Sequence, residues 1–449
     1  MHHLLVLLGA CTGAPADLAD SGPPDAPVVV PWSEARAPLT EASPAGRAWR
    51  RGIIHLHSPY SHDACDGDPM PGGVPDEECL SHLRRGLCTN AMDFAMITDH
   101  PAHAAEQEFA DTLLSREGDE VVDGLANRIL CDDGHRVLTL PGIEDALMPI
   151  GLDGPVADTF EERDRLYNAS DAEALAADIA AGATVLQAHT EGKSLDLLLE
   201  RQANGLAGVE LFNLHAMVDP TIREEDLGLD GFGYLETIAP FISGDTAAQP
   251  DLAFLGFYQE QGVSLERWDA LSLVAPTVGT AGTDAHENTL PNLLSDGERV
   301  DSYRRMMSWF SNIALVDGDT PEDLQAAIAA GHLFVAFEVL GTPTGFHVGY
   351  GAAEMGGAGD LGGTLDVTCP TLAATTPQSG APPEITATVF KDGEPWQEGC
   401  GSFAVTEAGV YRVRVEIVPH HLVGFLDDQA GALVREYPWL YSNSFRLGL

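Results

Sequence analysis

The chain has 449 residues and sets 69 acidic side chains against 23 basic ones, a formal net charge of −46 at neutral pH. A surface that acidic repels nucleic-acid phosphates, which argues against DNA or RNA as a partner and for a small-molecule substrate. A hydrophobic content of 44 % excludes a disordered chain, and the length suits two domains plus a tether.

From the N-terminus, Leu4 to Leu8 is an apolar run too short to span a bilayer, and it leads into Leu8-Gly9-Ala10-Cys11. That ending resembles a bacterial lipobox. The resemblance implies a signal peptide over residues 1–10 and a location in the cell envelope, with lipidated Cys11 as the only hold on a membrane. Thr12 to Pro44 is rich in Ala, Pro, Asp and Ser without apolar periodicity, as expected of a tether, which is placed over residues 11–50.

Beyond the tether, residues able to bind metal recur at the ends of apolar or β-branched runs. The first block is Ile53-Ile54-His55-Leu56-His57-Ser58, followed by Ser61-His62-Asp63. On a strand, His55 and His57 share one face while Leu56 turns to the other. Asp93 to Thr98 reads as a strand ending at Asp99-His100, and Gly142-Ile143-Glu144 follows. A helix over 171–181, which Ser170 can cap and Gly182 ends, precedes the strand Ala183 to Ala188 and then His189. Ser194 to Asn204 reads as a helix. The run Gly208 to Asn213 precedes His215, with Glu210 a rival for the same role. Met217 to Ser264 is a long acidic excursion whose Phe and Tyr content points to a lid or subdomain. After a helix at Leu265 to Leu273 comes Gly282-Thr283-Asp284-Ala285-His286. Strands alternating with helices argue for a parallel sheet with crossovers, and ligands at strand ends are what a barrel needs to gather distant residues at one point. A last helix, Asp317 to Ala330, starts at Thr320-Pro321 and leads into the strand Leu333 to Val339.

The series HxH, DH, GxE, H, H, DxH resembles the PHP (polymerase and histidinol phosphatase) superfamily over roughly residues 51–340. The resemblance implies a distorted (β/α)7 barrel carrying a metal-dependent hydrolase, most often a phosphoesterase. It also implies a ligand set. His55, His57, Glu144 and Asp284 hold one ion, and Glu144 bridges to a second ion on His189 and His215. Asp63, in preference to His62, joins His100 and His286 on a third. Two or three divalent ions are therefore expected, and imidazole mixed with carboxylate does not choose among zinc, manganese and iron. Asp99 is expected to orient a ligand histidine.

Metal chemistry needs no serine or cysteine nucleophile, and the chain has no Gly-x-Ser-x-Gly elbow, phosphate-cradling loop or dinucleotide fingerprint. The same centre serves phosphoesters, carboxylic esters and carbamates, and a surface binding protein without activity is the other reading. Phosphate specificity calls for a nearby cation: Lys193, then His103 and the pair Arg84-Arg85.

Residues 341–449 read as an antiparallel β-sandwich: Leu365 to Cys369, Ile385 to Phe390, the turn Lys391-Asp392-Gly393-Glu394, and Gly409 to Ile417. The ending Trp439-Leu440-Tyr441-Ser442-Asn443 resembles the β-domain of the carbaryl-hydrolase-like branch, a module that binds a partner or braces the barrel. His420 and His421 are expected at the surface. Six cysteines remain besides Cys11, an even number that suggests disulfides. Cys369 is expected to pair with Cys400, and Cys65, Cys79, Cys88 and Cys131 among themselves.

Overall fold

Seven strands close into a ring: β1 (Ala48–Leu56), β2 (Phe94–Asp99), β3 (Arg136–Ile143), β4 (Met148–Ile150), β5 (Thr184–Gln187), β6 (Gly208–Asn213) and β7 (Val278–Ala285). The computed structural model describes Arg36, residues 38–242 and residues 248–449. The expected signal peptide, Cys11 and most of the tether lie outside the described residues. Neighbours in the ring pair in sequence order and β7 returns to β1. All pairings are parallel except the two made by β4, which runs against both neighbours. This is the distorted seven-stranded barrel expected of the α/β reading.

The lumen and the outer layer draw on alternate residues. Phe94, Met96, Leu138, Leu140, Met148 and Leu186 form one buried cluster, whereas Ala95, Ile97, Val137 and Val185 pack in the other, outer one. Leu324, Ala327 and Ile328 of the helix Pro321–Ala329 join the lumen cluster and close the end of the barrel opposite the metal-binding residues. That helix starts on a capping box between Thr320 and Asp323.

The barrel sheet does not stop at the barrel. The first half of β1 pairs antiparallel with β8 (Ser311–Val316), and the ladder continues through β9 (Leu333–Ala336). It then passes to β12 (Tyr437–Ser442), β11 (Gly409–Val418) and β10 (Glu384–Lys391). Strands on both sides of residue 340 thus belong to one sheet. Asn443 ties the two parts further: its Oδ1 accepts from the Gly279 N–H at 2.7 Å, and its Nδ2 donates to the carbonyls of Gly279 and Leu333, each at 3.0 Å. The C-terminal strands therefore brace β7, the strand that carries Asp284.

Several local expectations shift. The first strand starts at Ala48, inside the stretch read as tether, and buries Trp49 against Phe334. Asp171, not Ser170, caps the helix Ala172–Ala180, because its carboxylate accepts from the N–H groups of Glu173 and Ala174. The helix expected at Leu265 to Leu273 runs from Gly262 to Val274. His421 is not at the surface but fully buried, in a turn against the C-terminal strands, whereas half-exposed His420 pairs with Glu384.

Three disulfides join Cys65 to Cys79, Cys88 to Cys131 and Cys369 to Cys400. Such usage belongs to chains that fold in an oxidising compartment. Among the described residues no helix is long and apolar enough to cross a membrane. Mass spectrometry of non-reduced peptides is expected to recover these three pairs. Replacing Cys369 and Cys400 by serine is expected to lower stability by about 3–4 kcal/mol, read as a lower urea midpoint.

Candidate metal centre

The candidate metal ligands meet at the C-terminal mouth of the barrel, where β1, β6 and β7 depart from strict register. Ile53 and Leu56 pack in the outer cluster and Ile54 in the lumen. Strict alternation would therefore turn His55 outward. Instead both parallel pairings of β1 lose register between residues 53 or 54 and 56, and His55 takes a left-handed φ of 75°. The extra residue turns His55 inward, and His57 after it. His189 and Asp284 also adopt positive φ, 50° and 51°. Left-handed backbone at such residues costs on the order of 1–3 kcal/mol each and persists only where neighbours enforce it.

Three overlapping groups of donors result, each with its atoms within 4.8 Å of one another: His57, His100 and His286; His55, Glu144 and His189; and His55, His57 and Asp284. The last group unites three of the four residues expected on one ion, while the other two place His57 also with His100 and His286, and His55 also with Glu144 and His189. Asp63 and His215 belong to none of the three. Asp284 is the hub. Its Oδ1 lies 3.2 Å from His55 Nε2 and 3.3 Å from His57 Nε2, and its Oδ2 3.2 Å from both His189 Nε2 and His215 Nδ1. Asp63 Oδ1 approaches His286 Nε2 at 3.5 Å and His100 Nε2 at 3.7 Å. His62 stays behind, its ring 5.2 Å from that of His100.

Surrounding acceptors choose the nitrogen that each ring presents. His286 Nδ1 donates to the Asp284 carbonyl at 2.8 Å, and His100 Nδ1 to the Glu144 carbonyl at 2.8 Å. His57 Nδ1 meets Ser61 Oγ at 2.7 Å, and that oxygen also accepts from the His100 N–H. At His286 and His100, whose partners are carbonyls and can only accept, these contacts leave the Nε2 lone pair facing inward. His286 Nε2 and Asp63 Oδ1 are buried without a hydrogen-bond partner, and the Nε2 atoms of His55 and His57 lie 3.1 Å apart. Bare lone pairs at such distances are what divalent cations satisfy, so the donor set fits metal ions.

The charges within the cluster divide the rings. Burial, reinforced by neighbouring rings, holds His57 well below the usual histidine range. His286 is also lowered by burial, against the pull of Asp284. Burial would lower His55 and His189 as well, but Asp284, helped by Glu210 at the first and by Glu191 at the second, outweighs it and raises both well above the usual range. Burial opposes ionisation of Asp284, yet the surrounding imidazoles keep its pKa well below the carboxylate norm.

Other predicted site residues fare differently. Asp99 touches no ligand ring. Its carboxylate accepts from the Ser58 N–H and Oγ, both at 2.6 Å, so it pins the backbone beyond His57 instead of orienting an imidazole. Burial pushes its pKa up to about 6 against those bonds. Glu210 stands behind His55, outside the three donor groups; His215 is in none of them either and reaches the centre through Asp284. Lys193 is half-buried at the end of the short turn Thr190–Gly192 that follows His189. His103 stands in the short helix directly after His100. Arg84 is spent on Asp119. Sequence reasoning missed Glu191, whose carboxylate holds His189 Nδ1 at 3.2 Å, and Tyr303, whose hydroxyl donates to the His57 carbonyl at 2.8 Å. The pattern His189-Thr190-Glu191 was a signal for the first. Tyr303 lay too far along the chain to carry one.

No family profile and no curated protein matches the chain. Among solved structures, it is similar to a two-domain protein from Bacteroides vulgatus described as containing a predicted PHP-like metal-dependent phosphoesterase. The identity is 10 % and the TM-score 0.37, with 90 % of this chain and 98 % of that one covered. It is also similar to PsfC from Pseudomonas syringae, at 14 % identity and a TM-score of 0.36, covering 63 % and 89 %. A third is the lesion-specific endonuclease EndoQ from Pyrococcus furiosus, at 12 % and 0.35, covering 63 % and 56 %.

Elemental analysis of the purified protein is expected to find two or three divalent transition-metal ions per chain. His57→Ala removes a donor that two of the three groups share and is expected to lower that content by at least one ion. Full loading in the variant would overturn the assignment.

Proposed function

We propose that this chain is a metal-dependent hydrolase of the PHP type, exported and lipid-anchored at Cys11, that cleaves a phosphoester in a small molecule. The observation that carries the reading is the set of inward-facing nitrogen and carboxylate donors at one barrel mouth, two of which, His286 Nε2 and Asp63 Oδ1, are buried without a hydrogen-bond partner. When bound, divalent ions supply a water that is nucleophilic near neutral pH and absorb charge on the phosphoryl oxygens.

The protein's own side chains do the rest. Asp284, Glu144 and Asp63 bring negative charge that balances bound cations. Asp99, through Ser58, and Tyr303, through the His57 carbonyl, hold the end of β1 so that its two rings keep their aim. Lys193, beside Asp145 at the edge of the centre, supplies the positive charge that receives the substrate phosphate. The high negative charge elsewhere turns polyanions away and leaves small substrates.

A second reading has its own observation. Beside His215 and Asp284 lies a small pocket walled by Leu214, Val218, Phe257, Leu290, Met306 and Trp309. Apolar walls next to the donors suit the uncharged portion of a carboxylic ester or carbamate.

Lys193→Ala separates the two. With phosphomonoesters the phosphoesterase reading expects KM to rise with metal content unchanged. Losing a charged hydrogen bond costs about 1.5–3 kcal/mol, so kcat/KM falls roughly tenfold or more. Neutral carboxylic esters should barely respond. Turnover of neutral esters alone, in the wild type, would transfer the assignment to the ester and carbamate reading.

A further inference from the structure

Glu210 touches three of the segments that carry metal-binding residues without entering the donor cluster. It is fully buried on β6. Oε1 accepts from His55 Nδ1 at 2.7 Å, and Oε2 accepts from the backbone N–H of His189 at 2.9 Å and from Asn213 Nδ2 at 3.0 Å. On the β7 side, a Cβ at Gly282 would lie 1.9 Å from Oε1, so the residue two before Asp284 has to lack a side chain for the carboxylate to fit. Two of its partners, His55 and His189, are donors held in left-handed backbone.

We propose that Glu210 is the positioning residue of this metal centre, presenting His55 through Nε2 and holding the His189 backbone in place. The inference rests on the reading of the cluster as a metal centre and adds the group that pre-sets it. A carboxylate has only acceptors, so His55 Nδ1 must carry the proton and Nε2 must present its lone pair toward His57 and Asp284. The same carboxylate satisfies the buried N–H of His189, which would otherwise have to turn away from the site. Carboxylates placed behind metal-binding imidazoles act in this way.

The chemistry singles out Glu210→Gln, which keeps the volume and removes one acceptor. With its oxygen toward His55, the amide NH2 confronts the His189 N–H. With its NH2 toward His55, the ring must move its proton to Nε2 and lose the lone pair a metal needs. Zinc titrated into the chelator-treated full chain, in competition with a chromogenic chelator, should bind about 10- to 100-fold more weakly to the variant. The number of zinc ions at saturation should be unchanged. Affinity within twofold of the wild type would overturn the proposal. Loss of a whole ion at saturation would also overturn it, by making Glu210 a ligand. Should the variant not fold, long-range proton–nitrogen correlation spectra of the zinc-loaded wild type decide instead. His55 is expected in the Nδ1-protonated form, and an Nε2-protonated ring refutes the proposal. A wild type that binds no zinc, manganese or iron fails the metal-centre reading itself, an outcome distinct from each of these.

Discussion

Five imidazoles crowd one carboxylate at the mouth of this barrel, and the rest of the structure serves to keep them there. Asp284 lies within 3.4 Å of nitrogen atoms on His55, His57, His189, His215 and His286. Stacked rings such as His57 and His286, with centroids 3.6 Å apart, repel once protonated, and burial removes the water that would screen them. The centre is stable only if opposite charge is built in and each ring is prevented from turning away. The first comes from Asp284, Glu144 and Asp63. The second comes from a surrounding layer of acceptors: Glu210, Glu191, Ser61 and two backbone carbonyls.

That layer also explains the backbone. His55, His189 and Asp284 occupy a conformation that favours glycine. Each is tied on more than one side: Thr283 Oγ1 donates to the His55 carbonyl at 2.8 Å, and Glu210 receives both the His55 ring and the His189 N–H. Strain so over-determined is characteristic of sites organised before their ligand arrives. The outer structure extends the same support. Asn443, at the far end of the chain, bonds both faces of Gly279 on the Asp284 strand. A buried ion cluster of Arg36 and Arg51 with Glu338, at 3.1 and 2.9 Å, fastens the start of β1 to the turn after β9. In this protein the C-terminal strands are part of the scaffold that aims the site, because they share one sheet with β1.

Much of this was legible in the amino-acid order. The donors fall at the ends of β-branched and apolar runs, and a run that must be buried on both faces can only be a strand in a closed or covered sheet. Strands ending in candidate ligands follow from that local pattern. The seven-stranded barrel and the gathering of His55, His57, His100, Glu144, His189 and Asp284 were implied by the family resemblance of the motif series. The pairing of Cys369 with Cys400 followed from their closeness in one small C-terminal region. Helix starts were legible where a side chain caps them, as at Ser194 and Thr320, because such caps act on the next few N–H groups, whereas the uncapped start at Gly262 was missed by three residues.

What only the tertiary structure decided are the contacts between residues distant along the chain. The bulge that turns His55 inward is invisible in a run that reads Ile53-Ile54-His55-Leu56-His57, because its cause is the register demanded by β2 and β7 on either side. Asp99 could be assigned a role only after β2 was laid beside β1, which put its carboxylate on Ser58 and not on a histidine. Glu210 stood as a rival of His215 for a ligand position because alternation says only which way a side chain points, not which atom it meets first. His421 was read as exposed from its loop composition, whereas packing of the C-terminal strands buries it. Composition and periodicity determine which residues can form the centre. The three-dimensional register determines which nitrogen each one presents.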